Sequence, residues 1–197
     1  MNKREDKKEA ILLAGMEVMK GNGYNGTSVK DIVDAAGVPK GSFYNYFESK
    51  EQFALDAISY AGDAGRDFAS GVLGGNEPAL TRLLNFFNSG ISLLEQGEYK
   101  HGCCIGNMCQ EMADVSDVMR RALDSCMRKT IAQVAAVIEE GQAAGEISKH
   151  AEPLVMAEFL FNAWEGAIMR AKAAKVRDPL DAFMAMVRPM LEAKASA

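Results

Sequence analysis

Ser28-Val29-Lys30-Asp31-Ile32-Val33-Asp34-Ala35-Ala36-Gly37-Val38-Pro39-Lys40-Gly41-Ser42-Phe43-Tyr44-Asn45-Tyr46-Phe47 reads as two short helices around a tight turn. Ser28 and Asp31 have the spacing of a capping box, in which side chains satisfy the free N–H groups of a helix start. Val29, Ile32, Val33 and Ala36 recur at helical intervals and predict the inward face of the first helix, which stops at Gly37. Pro39 suits the first turn of the second helix, where a missing N–H costs nothing. That helix is predicted over about Lys40 to Phe47. Phe43 and Phe47, four residues apart, share a face and predict an anchor. Lys40, Ser42, Tyr44, Asn45 and Tyr46 are left for the outer surface, and Gly41 has no side chain to hold a neighbouring backbone away. A recognition helix needs this division: an apolar face that fixes it and a polar face for base edges and phosphates. Lys50 opens the following helix, where unpaired N–H groups also favour phosphate.

The rest of the chain is helical in pattern as well. A first helix over about Arg4 to Lys20 carries Ile11, Ala14, Val18 and Met19 on one face, and Gly21-Asn22-Gly23 ends it. Ser49, with Gln52 three residues on, starts a fourth helix that reaches about Val72. Further helices are predicted over about 78–96, 103–113, 116–143, 153–174 and 179–194, with no hairpin pattern between them. The fold class is therefore all-α, about nine helices: a three-helix helix-turn-helix head over 1–50, a connecting helix over 51–75, and an effector-sensing and dimerisation body over 76–197.

Composition narrows the function. Of 197 residues, 48% are apolar and 25% charged, ordinary values for a globular protein. The net charge of −5 argues against a basic nucleic-acid-binding surface over the whole chain. Residues 1–50 hold eight lysines and arginines against seven acids, while residues 51–197 hold 14 against 20, so the basic character sits at the front. No apolar run is long enough to span a bilayer, and the N-terminal residues lack the apolar core of a signal peptide. The expectation is a cytoplasmic protein with no membrane partner. Catalysis finds no support: His101 and His150 are the only histidines, and there is no nucleophile–base spacing or phosphate loop. No cofactor is implied.

The stretch Gly23-Tyr24-x-x-Thr27-Ser28-Val29-x-x-Ile32-x-x-x-Ala36-Gly37-Val38-Pro39-Lys40-Gly41-Ser42-Phe43-Tyr44-x-Tyr46-Phe47-x-Ser49-Lys50-Glu51 resembles the N-terminal domain of the tetracycline-repressor-like (TetR) family. The resemblance implies a DNA-binding head, a ligand-binding body, a homodimer, and release of DNA when an effector binds. It implies phosphate contacts from Thr27, Tyr46 and Lys50 near Ser28, and a groove-facing set of Lys40, Gly41, Ser42, Tyr44 and Asn45. Tyr46 stands where many members have histidine, and its hydroxyl can still donate to a phosphate.

Tyr99-Lys100-His101-Gly102-Cys103-Cys104-Ile105-Gly106-Asn107-Met108-Cys109 is the most unusual segment. Cysteines there can simply pack as small hydrophobes. A metal site from His101, Cys103, Cys104 and Cys109 lacks the C-x-x-C spacing such sites use, so no metal is expected. A third reading is a reactive thiol: Cys103 lies at the predicted start of a helix, where the dipole favours thiolate. Cys109 or Cys126 would be a better resolving partner than adjacent Cys104. The pattern Gly102-Cys103 with Glu111, Asp114, Ser116, Met119 and Arg120, then Trp164-x-Gly166-Ala167 and Ala171-Lys172, resembles a branch of the family that includes repressors of N-ethylmaleimide and related electrophile reductases. That resemblance implies sensing of electrophiles or oxidants at Cys103, with Lys172 as the cation that would activate it. The alternative is a reversible, non-covalent small ligand, with the cysteines structural. Phe86, Phe87, Phe159, Phe161, Trp164 and Met169 are candidates for pocket or core. The last two helices carry more apolar residues than one partner helix needs, Leu154, Phe159, Phe161, Trp164, Phe183 and Val187 among them, and this predicts a two-fold dimer interface.

Overall fold

The computed structural model describes residues 3–193, and among them the chain forms nine helices and no strand. These are α1 (Lys3–Asn22), α2 (Val29–Ala35), α3 (Lys40–Phe43), α4 (Lys50–Leu73), α5 (Ala79–Gln96), α6 (Cys104–Met112), α7 (Asp117–Ala144), α8 (Pro153–Ala174) and α9 (Asp178–Leu191). The all-α prediction holds, and the predicted helices all exist. An isolated antiparallel bridge between Ile147 and Glu192 is the one extended pairing among the described residues. The chain divides into two compact units: residues up to 63 with 104–126, and residues 64–103 with those from 127 onward.

In the first unit, α1 closes on Gly23, whose φ of +74° lets its N–H reach the Met19 carbonyl at 2.9 Å. The Ser28–Asp31 capping box forms in both directions, and Gly37 (φ +65°) terminates α2. Pro39 is the residue before α3 rather than its first residue, in extended geometry. The regular part of α3 is a single turn, shorter than the Lys40–Phe47 helix predicted. After Phe43 the backbone tightens: Asn45 N–H donates to Ser42 and Tyr46 N–H to Phe43, three residues back, before Phe47 N–H also returns to Phe43 at 3.0 Å. Asparagine and tyrosine gain little from continuing a helix, and the tightening still brings Phe47 onto the face of Phe43. Both rings are buried, with Phe43 fully so, and they stack into Phe53 from α4. Ile11, Ile32, Val33 and Ile58 complete this core, and α6 adds Met108 and Met112. Residues 104–126 belong to this unit because their apolar face is spent there.

In the second unit, α5 and α8 pack on α9 around Phe87, Trp164 and Phe183, whose rings lie 4.9–5.5 Å apart. Much of the apolar surface predicted for a dimer interface is spent here instead: Leu160, Trp164, Ile168, Leu180, Phe183, Val187 and Leu191 are buried within the chain. What stays exposed on α8 and α9 is Leu154, Val155, Phe159, Met169 and Met186. Helix α9 ends at Leu191 rather than at 194, which lies outside the described residues. Glu192, in extended geometry, closes it by donating its N–H to the Arg188 carbonyl at 2.9 Å.

Candidate nucleic-acid interface and thiol site

The interface begins with what the buried aromatics leave outside. Ser28, Lys40, Gly41, Tyr44 and Asn45 are exposed, with Tyr44 56% accessible, while Ser42 and Tyr46 are half-buried. A Cβ added at Gly41 would meet no atom within 4 Å, so the fold does not require glycine there. Arg4 donates to the Asn45 carbonyl at 3.3 Å and ties α1 to the end of the α3 turn.

Two residues expected at phosphates have inward partners. Thr27 is 1% exposed and its hydroxyl donates to the Gly23 carbonyl at 2.7 Å, so its side chain closes the α1–α2 loop and is not on the surface. Lys50 donates to the Tyr24 carbonyl at 2.6 Å and lies 4.1 Å from the centre of the Tyr24 ring. Burial lowers its pKa, with Glu111 and Asp31 pulling the other way.

Glu111 belongs to the branch pattern but had no role assigned from the sequence. Its carboxylate, carried by α6, accepts from the backbone N–H groups of Tyr24 (3.2 Å) and Asn25 (2.9 Å). A Cβ at Gly23 would fall 2.5 Å from one of its oxygens, so that glycine is needed both for φ and for room. Lys50 and Glu111 thus fasten the loop before α2 from two sides. Replacing Glu111 with alanine leaves two N–H groups without their charged acceptor. The expected cost is about 1–2 kcal/mol, at the low end for charged hydrogen bonds because the site is partly solvated. Urea unfolding should show it, with faster amide exchange at Tyr24 and Asn25; unchanged exchange at both amides would show that Glu111 does not hold the loop.

The thiol site lies in the second unit. The loop before Cys103 holds three residues with left-handed backbone, Glu98 (φ 52°), Tyr99 (φ 54°) and Gly102 (φ 66°). Such geometry in a non-glycine residue costs about 1–3 kcal/mol and needs outside support. Lys175, itself left-handed at the end of α8, supplies some by donating to the Tyr99 carbonyl at 2.8 Å, and Arg177 pairs with Glu95 at 2.8 Å. Cys103 is the residue before α6 rather than its first residue, and it packs against the second core. Beside it, α8 closes on Gly102: an added Cβ would be 3.3 Å from Lys172 Cδ and 3.4 Å from Ile168 Cγ2. The Lys172 side chain therefore lies beside the Gly102 loop. Nothing in the sequence pointed to Glu165, also on α8, whose ionisation responds to the Cys103 thiol. Burial raises the Glu165 pKa and the bond from Cys103 offsets part of that.

All four cysteines are thiols. Cys104, Cys109 and Cys126 pack against the first unit's core, and Cys126 donates to the Ile58 carbonyl at 3.7 Å. Burial pushes the Cys104 thiol up, with Lys20 partly countering. Cys109, the candidate resolving thiol, belongs to the first unit and Cys103 to the second. Trp164 is a core residue against Phe87 and Phe183, and Gly90 leaves room for its indole. Phe159 and Met169 face outward. Among the described residues, no three His, Cys, Asp or Glu side chains are grouped to hold a metal ion, and no helix is long and apolar enough to cross a membrane.

Comparison with known proteins finds matches for both the N-terminal and the C-terminal part of the chain. Residues 11–57 match the model of bacterial regulatory proteins of the tetR family, and residues 79–187 match that of the tetracyclin repressor-like C-terminal domain. The chain is 37% identical to the HTH-type transcriptional repressor DhaR of a Mycobacterium species, over 91% of this chain and 89% of DhaR. It is 29% identical to the repressor NemR of Escherichia coli, over 99% of this chain and all of NemR. The crystal structure of E. coli NemR in its reduced form superposes with a TM-score of 0.89, covering 97% of this chain and all of that one. These likenesses support a place in the NemR-like branch suggested by Gly102-Cys103 and the α8 pattern. A buried Phe43–Phe47 anchor under an exposed polar turn, in a helical chain whose two parts match both family models, leads to one conclusion: the chain belongs to the TetR family of bacterial transcriptional regulators.

Proposed function

We propose that this regulator is a homodimeric repressor that binds a near-palindromic duplex in its reduced state and leaves it when an electrophile or oxidant modifies Cys103. The DNA part rests on the turn from Lys40 to Tyr46, where two buried phenylalanines fix a short polar segment on the surface. Lys40, Ser42, Tyr44 and Asn45 read base edges, Gly41 admits the backbone, and Ser28 and Tyr46 add phosphate contacts. Lys50 acts mainly by holding the Tyr24 carbonyl, and Thr27 by closing the same loop. Two heads on a two-fold axis would meet half-sites about one DNA turn, roughly 34–36 Å, or a multiple of it apart.

The sensing part rests on the loop that presents Cys103 between a strained backbone and the stripe of α8 bearing Glu165 and Lys172. Cys103 also adjoins α6 in sequence, and α6 carries Glu111, which fastens the loop before α2. A change at Cys103 that shifts α6 would reach the DNA-binding loop through that carboxylate, biasing the protein between two head arrangements.

The test is selection of an operator from random duplexes, followed by gel shift and intact mass on one sample before and after N-ethylmaleimide or hypochlorite. Wild type should release DNA as Cys103 gains mass. Cys103→Ser should bind normally and stay bound. Tyr44→Ala should bind about 10–100-fold more weakly without losing its fold, in line with about 1–3 kcal/mol for a base-reading contact. Release by an electrophile with Cys103 unmodified, or a fully responsive Cys103→Ser protein, would instead favour a reversible ligand in the body.

A further inference from the structure

Leu84, Asn85 and Asn88 on α5 stand at i, i+1 and i+4, and Met184, Ala185 and Arg188 on α9 repeat that spacing. Residues so spaced share one helix face. The two faces line a surface groove of about 420 Å³, a volume within the range of small-molecule sites, about 300–1,000 Å³. Leu84, buried, and Met184, half-buried, make its floor apolar, and Pro189 adds hydrocarbon at one end. Asn85, Asn88 and Arg188 are exposed and make its rim polar. Met186 and Met190 lie on the opposite face of α9 and line a separate apolar groove against α8.

The polar groups divide by kind. Arg188 and Asn88 bring N–H donors, and none of the described residues lining the groove is acidic. Glu192 stands 3.9 Å from the Arg188 guanidinium, an ion pair beyond hydrogen-bond reach. Acceptors come from the other two polar positions. Asn85 spends its amide nitrogen on Glu77 at 3.1 Å and turns its oxygen to other uses. Pro189 lies inside α9 and has no N–H, so the Ala185 carbonyl lacks the donor that a helix normally supplies four residues on.

We infer that this groove binds small hydroxycarboxylic acids, with the two functional groups separated by a short hydrocarbon spacer. Arg188 and Asn88 take the carboxylate, since a guanidinium matches a carboxylate with two parallel N–H···O bonds. The ligand hydroxyl donates to the Ala185 carbonyl or the Asn85 oxygen. An ammonium donor in its place would be repelled by the Arg188 charge. Leu84, Met184 and Pro189 cover the spacer. The site uses neither Cys103 nor its loop, so it stands or falls apart from the reading of that thiol.

The test labels the full-length protein with ¹³C at its 12 methionine methyls and titrates in turn γ-hydroxybutyrate, ε-hydroxycaproate and para-hydroxybenzoate. At least one should move the Met184 signal with a Kd of about 1 mM or tighter, while the Met186 signal stays in place. Arg188→Gln changes an exposed side chain and should weaken that acid by about 10-fold or more, the scale of a charged hydrogen bond. Pro189→Ala restores the missing N–H and occupies the Ala185 carbonyl, so it should weaken the same acid about threefold or more. The matching acid without its hydroxyl (butyrate, caproate or benzoate) should bind wild type more weakly, and the methyl ester should leave Met184 unmoved. A Met184 signal indifferent to all three acids at about 10 mM would overturn the inference. So would an ester that binds as well as its acid, a comparison made on wild type alone. An Arg188→Gln affinity within about twofold of wild type, against the 10-fold expected of the ion pair, would remove the carboxylate contact on which the site depends.

Discussion

Phe43→Ala is expected to release the α3 turn and destabilise the head by about 3–5 kcal/mol, the range for emptying a phenylalanine site in a well-packed core. The reason is where the ring sits. Phe43 is fully buried, and its centroid lies 5.2 Å from Phe47, 5.3 Å from Tyr44 and 5.8 Å from Phe53. The regular part of α3 is only Lys40–Phe43, too short to be stable by its own hydrogen bonds. Packing of this one side chain therefore decides whether Lys40, Ser42, Tyr44 and Asn45 are presented in a fixed arrangement. Against a total stability of about 5–15 kcal/mol, a loss of that size leaves the first unit marginal. Operator binding should weaken as well, by the fraction of time the turn spends out of its fixed arrangement. Urea unfolding followed by circular dichroism, alongside gel shift, measures both. Phe43→Leu, which keeps most of the volume, should cost under about 1.5 kcal/mol. A Phe43→Ala protein within about 1 kcal/mol of wild type would mean that α3 is held by something other than its aromatic cluster.

The sequence made the head readable because its signals are local. A capping box is four residues, a terminating glycine is one, and Phe43 and Phe47 declare a shared face by spacing alone. Each of these forms as expected. The length of α3 was overestimated because apolar spacing cannot tell a continued helix from a tightened turn that keeps the same face inward. Thr27 and Lys50 show a second limit. Both are polar and near the DNA-facing turn, yet their partners are the carbonyls of Gly23 and Tyr24. Whether a hydroxyl or ammonium looks outward depends on the path of the loop before it, which side-chain pattern does not reveal. Glu111 and Glu165 show the same limit over longer range. The first meets residues 86 and 87 positions earlier in the chain, and the second meets a cysteine more than 60 positions earlier. The only sequence trace of Glu165 is its place two turns before Lys172. In the body, apolar abundance on α8 and α9 overstated the free surface, since most of it lines the chain's own core.

What that core does not consume carries the other large prediction. Phe159 on α8 is 60% exposed and Met186 on α9 is 69% exposed, and both line one apolar groove with Ala163, Gly166, Arg170 and Met190. Gly166 would meet nothing within 4 Å if it gained a Cβ, so it is small without an internal reason. A second copy related by a two-fold axis would place the same groove against itself, and a small residue in its lining permits close helix approach. Phe159→Glu combined with Met186→Glu puts two carboxylates on each protomer into that contact. Burying them unpaired costs several kcal/mol per ion, more than a dimer of ordinary strength can offset. The double variant should run in sedimentation as the 21.3 kDa monomer, while a dimer would be twice that mass. Its melting temperature should fall below that of wild type and lose its dependence on protein concentration, because the stabilisation supplied by dimerisation is gone. DNA binding should weaken by about 10²–10⁴, the gain that a second tethered head provides, and a single half-site should be bound as by wild type. A variant that remains dimeric with full operator affinity would place the interface elsewhere on the chain and leave the α8–α9 groove for another occupant.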